Sequence, residues 1–184
     1  MTRLWLLLLL PLLLSGCPGE WIRVDDSRRN HQAERYTVSL PSGWVVRTIG
    51  DVLTVTRDGP NLQRVRIRAS LHEDAFDSIE RKSDKEMLPS ELADLFIAAL
   101  KGEESDGLPS LQVLSNEPVT VAGRDAFRLH AGYRLESGLE YQLLAVGFVT
   151  EKYFYVVSYT APRLLFFERN KDEFEHILGT LAPI

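Results

Sequence analysis

The hydrophobic pattern divides the chain into an apolar leader, a polar stretch and a long series of period-two segments interrupted by two helical ones. Leu4 to Leu14 is an almost unbroken apolar run behind a single charge, Arg3. A helix that crosses a bilayer needs ~20 apolar residues, so this run is too short to span and matches the apolar region of a secretory signal. Residues 18–34 have little apolar periodicity. Pro18-Gly19 breaks structure, and Asp25 to Glu34 is polar and charged. This stretch is expected to be a loosely ordered tether, with Trp21, Ile22 and Val24 free to touch the domain or a bilayer surface.

From Tyr36 the period becomes two. Tyr36, Val38 and Leu40 alternate with Thr37 and Ser39, which predicts a strand. Pro41-Ser42-Gly43 turns the chain into an extended Trp44-Val45-Val46, and Val52 to Thr56 predicts another strand. After the turn signal Asp58-Gly59-Pro60-Asn61, residues 62–71 alternate cleanly. Val65, Ile67, Ala69 and Leu71 face one way, and Arg64, Arg66, Arg68 and Ser70 the other. His72 to Glu86 is polar and without period. Leu88, Leu92, Leu95, Phe96, Ala99 and Leu100 then share one helical face, with Pro89 suited to a first turn and Gly102 to a stop. An acidic loop with Glu103, Glu104 and Asp106 follows.

The second half predicts strand after strand. Val113 to Val121 contains Pro118 and is expected at an edge or bend. Turns at 122–124, 136–138 and 150–152 separate three further strands, of which 139–149 and 153–160 are apolar on both faces. The tail from Arg163 reads as helical, with Asn170 and Glu173 placed to cap its second part. Short turns between four late strands mean an antiparallel meander, and strands apolar on both sides need cover on both sides. The predicted class is α+β: a central antiparallel sheet covered by helices on both faces.

Composition narrows the class without naming a reaction. The chain has 184 residues, 45% hydrophobic and 26% charged, with a net charge of −5. These values fit one globular domain plus a tether. The acidic balance argues against a nucleic-acid partner, which calls for a basic face.

Leu14-Ser15-Gly16-Cys17 resembles a bacterial lipobox: an aliphatic residue, two small ones, then cysteine. The resemblance implies that residues 1–16 are a signal peptide, that Cys17 is acylated, and that the mature chain begins there. It implies three acyl chains on that residue; each buried CH₂ contributes ~0.8 kcal/mol, and stable anchoring takes more than one chain. Cys17 is the only cysteine, so once acylated it leaves no thiol for catalysis, metal ligation or a disulfide. Pro18 follows rather than the Asp that marks inner-membrane retention. In a Gram-negative cell the resemblance therefore directs the protein to the outer membrane, facing the periplasm.

Tyr36-Thr-Val-Ser-Leu-Pro-Ser-Gly-Trp44 resembles the opening strand and Pro-x-Gly-Trp of the PsbP-like fold. Val119 to Tyr133 resembles its Gly-Arg-x-Ala hairpin, and Tyr153–Thr160 with Phe174–Leu181 its last strand and closing helix. The likeness covers residues 35–184. It implies a lipoprotein with a PsbP-like (DcrB-type) domain at 35–184, residues 17–34 being its lipidated N-terminus and tether. The family combines photosynthetic lumenal proteins, which help photosystem II hold its inorganic cofactors, with bacterial lipoproteins. It implies a binding or accessory role and no enzyme activity, and no site residue or cofactor is carried over from it.

Candidate chemistry is sparse. None of His31, His72, His130 and His176 pairs with another at metal-site spacing, and His72-Glu73-Asp74 with Asp77 lacks the shaped loop that Ca²⁺ requires. No Gly-x-Ser-x-Gly elbow or phosphate-binding loop occurs, so no catalytic residue, metal ligand or cofactor is expected. Tyr153, Tyr155 and Tyr159 form a stripe expected to pack under a helix rather than line a groove. The sharpest candidate is the row Arg64, Arg66 and Arg68. It reads either as an edge strand guarded by charge or paired with carboxylates, or as a docking stripe for an acidic partner or a headgroup.

The leading expectation is a membrane-anchored, non-catalytic envelope lipoprotein that binds another envelope component. A small-molecule or metal-binding carrier is the alternative, and an envelope enzyme with dispersed residues a third.

Overall fold

The alternating segments form strands where their periodicity predicts them. The computed structural model of the chain describes residues 19–102, 108 and 110–184. Cys17 and the acidic residues Glu103, Glu104 and Asp106 lie outside the described residues. In chain order the strands are β1 (Ile22–Arg23), β2 (Asn30–Gln32), β3 (Tyr36–Ser39), β4 (Val45–Ile49), β5 (Val52–Thr56) and β6 (Arg64–Leu71), before helix α1 (Pro89–Lys101). There follow β7 (Gln112–Val121), β8 (Arg124–Arg134), β9 (Glu140–Val149) and β10 (Tyr153–Pro162), then α2 (Phe166–Arg169), α3 (Lys171–Thr180) and β11 (Ala182–Pro183).

Among the described residues the strands build two sheets. The larger is antiparallel, with order β1-β4-β5-β6-β10-β9-β8-β7. The smaller has order β11-β3-β2. β7 to β10 are the meander, and β7, with Pro118 and a bulge between Val113 and Ser115, is its edge. The β7–β8 hairpin closes through Ala122 (φ 51°) and Gly123 (φ 71°), the double positive φ that a two-residue turn of matching twist demands.

Alternation sorts the large sheet's side chains into two clusters. Val65, Ile67, Leu144, Val146, Tyr155 and Tyr159 join Phe174, Ile177 and Leu178 of α3 and Tyr36 and Val38 of the small sheet on one face. Phe127, Leu129, Leu143, Ala145 and Phe154 join Leu92 and Ala93 of α1 on the other. Tyr155 and Tyr159 are buried, their hydroxyls donating to the carbonyls of Arg35, and of Phe166 and Phe167. The tyrosine stripe is therefore core.

Cover on this second face stops partway. α1 packs on β7, β8 and β9, and among the described residues no α-helix packs to a like extent on β4, β5 or β6. The reason is electrostatic: those strands present Arg47, Arg64, Arg66 and Arg68 on this face, and charged side chains are rarely buried unpaired.

Two local expectations are corrected. The expected tether is not loose throughout its described residues, 19–34, because β1 adds to the large sheet by pairing Ile22 with Val46, and β2 pairs with β3. Val24 is only 2% exposed and exchanges hydrogen bonds with the Trp44 carbonyl and the Gly43 amide. Two or three residues are too few to show a period. Asn170 precedes α3, but its side chain makes no capping bond and its amide donates to the Phe166 carbonyl instead.

Candidate functional site

The arginine row lies on an interior strand. β6 sits between β5 and β10, so protection of an edge does not account for its charge. Register assembles the surroundings. Arg47 pairs with Thr54, Thr54 with Arg66, and Arg66 with Ser158, so these four side chains form one line across β4, β5, β6 and β10. Val52 and Val156 flank Arg68 in the next line, and Thr160 stands beside Arg64. Adjacent strands lie ~4.8 Å apart, which puts the Cα atoms of Arg47 and Arg66 ~10 Å apart, a span one bound anion can bridge.

This floor is walled by Phe96 and Leu100 of α1, by Leu108, and by Ala75 and Phe76 of the segment after β6. The enclosed groove has a volume of about 720 Å³. Leu92 and Ala93 are fully buried, whereas Phe96 and Leu100 are half-buried at the margin. Phe96 leans on Phe127 (ring centroids 5.6 Å apart), and Phe76 on Phe154 (5.0 Å).

The arginines are not equivalent. Arg68 is structural: its Nε donates to Asp51 Oδ2 at 2.9 Å, its Nη2 to the Asp74 carbonyl at 2.8 Å and its Nη1 to the Ala75 carbonyl at 3.3 Å. Arg64 Nη1 donates to the Pro60 carbonyl at 2.9 Å, while its buried Nε has no partner. Arg47 stacks on Trp21, with 4.6 Å from its guanidinium carbon to the ring centroid, and its Nε is likewise buried and unpartnered. Arg66 has no hydrogen bond or ion pair among the described residues. It is exposed by area yet recessed in the groove, and burial first, then the neighbouring Arg64, lower its pKa. A guanidinium stays protonated regardless, so Arg66 keeps its positive charge in the groove, with no carboxylate paired to it among the described residues. Asp51 is the one carboxylate on the described lining, against four arginines. It is held by Arg68.

A second cavity of about 510 Å³ lies on the opposite face, beside His31, Arg35, Tyr36 and Leu53. Its cation is already engaged: Arg35 donates to the Ala69 carbonyl and stacks on Tyr153. Burial lowers the His31 pKa there. His72 has a structural role, its ring bonded to Ser83 Oγ at 2.7 Å and to the Thr150 carbonyl at 3.1 Å. Among the described residues no three His, Cys, Asp or Glu side chains group as a metal site would.

The sequence signalled the arginines and the apolar face of α1 separately. Their juxtaposition, and the parts of Arg47, Thr54 and Ser158, required the pairing of β6 with both β5 and β10, which no local pattern reveals.

No protein-family profile matches the chain. No curated protein matches it either. Solved structures do. CyanoP, the cyanobacterial PsbP of Synechocystis sp. PCC 6803, superposes with a TM-score of 0.58 at 9% identity, covering 93% of this chain and 95% of that one. LpqN of Mycobacterium tuberculosis, which is involved in cell envelope biogenesis, gives 0.54 at 14% identity over 90% of this chain and 91% of its own. A protein of Bacteroides thetaiotaomicron VPI-5482 gives 0.52 at 17% identity over 81% of this chain but 45% of its own, so this chain spans about half its length. Identities this low establish a shared fold and nothing further. The fold is PsbP-like.

Proposed function

We propose that the protein is an envelope lipoprotein, acylated on Cys17, whose PsbP-like domain binds an anionic partner in the arginine groove and serves an accessory, non-catalytic role. The observation that carries this reading is Arg66: a recessed guanidinium without a partner among the described residues, on an interior strand, beneath an apolar wall. The groove's polar lining is cationic and hydroxyl, and its carboxylate is tied up by Arg68. That chemistry suits holding an anion better than abstracting a proton. Envelope involvement of LpqN, which shares the fold, is consistent with the reading. No helix among the described residues is long and apolar enough to cross a membrane. In this reading attachment falls to the acyl chains on Cys17, at the outer membrane facing the periplasm in a Gram-negative cell.

Two arms test it. Metabolic palmitate labelling should be lost in Cys17→Ser; equal incorporation in wild type and variant rules out the anchor. Crosslinked cells should then yield a co-purifying envelope component from wild type that Arg66→Glu loses and Glu117→Arg, on the far edge strand, keeps. An unchanged profile in Arg66→Glu rules out the groove as the binding site.

A further inference from the structure

The structure assigns the groove a ligand class: we infer that it takes a single-chain anionic amphiphile drawn from the adjacent membrane. The carboxylate or phosphate lies on the Arg47–Arg66 line and the hydrocarbon along Phe96 and Leu100. The inference rests on the anchoring proposed above. Three observations carry it. First, charge and grease are segregated. The floor supplies the guanidinium of Arg66 with Arg47 and Arg64 beside it, whereas α1 supplies the hydrocarbon side chains of Phe96, Ala99 and Leu100. Second, the floor offers little to a peptide backbone. β5, β6 and β10 are each paired on both sides, so no free strand edge is available for main-chain pairing, and α1 offers the carbon side chains of Phe96 and Leu100 rather than partners for peptide groups. A hydrocarbon has none to satisfy. Third, one end of the groove lies on the side of the N-terminal strand. β1 runs antiparallel to β4, so the chain before Ile22 heads toward the Ile49 end, and Gly19 lies so close to Thr48 that an added Cβ would sit 2.5 Å from its carbonyl oxygen. Ile49 and Asp51 line the groove at that same end, and Ile49 is 51% exposed. Three residues lie between Cys17 and Trp21, four steps of at most ~14 Å of extended chain, which keeps this end of the groove within reach of the proposed anchor. The volume of about 720 Å³ falls within the ~300–1,000 Å³ of small-molecule sites.

The test uses the full-length lipidated protein in lipid nanodiscs with a diazirine-bearing palmitate as photoprobe. Labelling should map to α1 around Phe96 and Leu100, be displaced by palmitate and hexadecyl phosphate, and resist hexadecanol and acetate. Arg66→Gln should reduce it at least tenfold. Equal displacement by hexadecanol, or undiminished labelling of Arg66→Gln, overturns the proposal. Displacement by an Asp- and Glu-rich peptide but not by palmitate overturns it in favour of an acidic protein partner. The mass of the N-terminal peptide from the same sample separates the two ideas. An unmodified N-terminus refutes the anchor, while an acylated N-terminus with an unlabelled groove refutes the amphiphile alone.

Discussion

Arg66→Gln and Arg68→Gln are expected to have different consequences, although the two arginines share a strand and a face and stand two residues apart. Arg68 ties β6 to the β4–β5 turn through Asp51 and to the next segment through the carbonyls of Asp74 and Ala75. A hydrogen bond to a charged group contributes ~1.5–3 kcal/mol when well sheltered. Here the side chains of Arg68 and Asp51 are 34% and 39% exposed, so the ion pair itself is discounted to less than ~1 kcal/mol. With the two carbonyl bonds, the loss is about 2–3 kcal/mol. At this chain size each kcal/mol moves Tm by ~2–4 °C, so Arg68→Gln should melt roughly 4–12 °C lower. Arg66 has no such bonds, and its removal relieves repulsion with Arg64. Its replacement should stay within ~0.5 kcal/mol of wild type. Thermal unfolding followed by circular dichroism reads both. A loss in Arg66→Gln as large as that in Arg68→Gln would show that Arg66 is paired inside the fold, and the case for a reserved binding charge would fail.

Three further outcomes follow from the packing. A Cβ at Gly147 would lie 2.5 and 2.7 Å from ring atoms of Phe127, so Gly147→Ala should cost ~1–3 kcal/mol as overpacking does, measured as a lower urea midpoint; an unchanged midpoint would mean the ring moves freely. Deleting residues 1–34 removes β1, β2 and the buried Val24, so the remainder should melt below a chain that begins at Gly19, and equal melts would restore the tether reading. Burial holds the phenols of Tyr36 and Tyr159 above their ordinary pKa of ~10. Because the folded state resists their ionisation, stability should be intact below pH ~10 and fall as the pH rises beyond it; urea midpoints equal at pH ~8 and ~11 would contradict that burial.

The fold was legible wherever a pattern ran long enough to repeat. The 89–101 helix is present with those bounds because its apolar face, Pro89 and Gly102 all agree. The edge position of β7 followed from Pro118. β1, β2 and β11 were invisible because strands of two or three residues show no period and form only by adding to a sheet built elsewhere. The arginine row was legible as a face but not as a site. Its charge-guarded-edge explanation failed because the neighbours of β6 are set by long-range pairing: β10 lies some ninety residues away in sequence. The groove's floor draws on β4, β5, β6 and β10, so Arg47, Arg66 and Ser158 meet only once the sheet has assembled, and no local window of sequence shows that line.

The most direct test is site-specific photocrosslinking in living cells, with a benzophenone amino acid at Ser158 on the groove floor and, as control, at Glu117 on the outer strand β7. The account expects an ultraviolet-dependent adduct from Ser158 that disappears in Arg66→Glu and persists in Arg28→Glu, on the β1–β2 connection. An adduct from Glu117 alone, or a Ser158 adduct indifferent to Arg66→Glu, would contradict the claim that this groove is where the protein meets its partner.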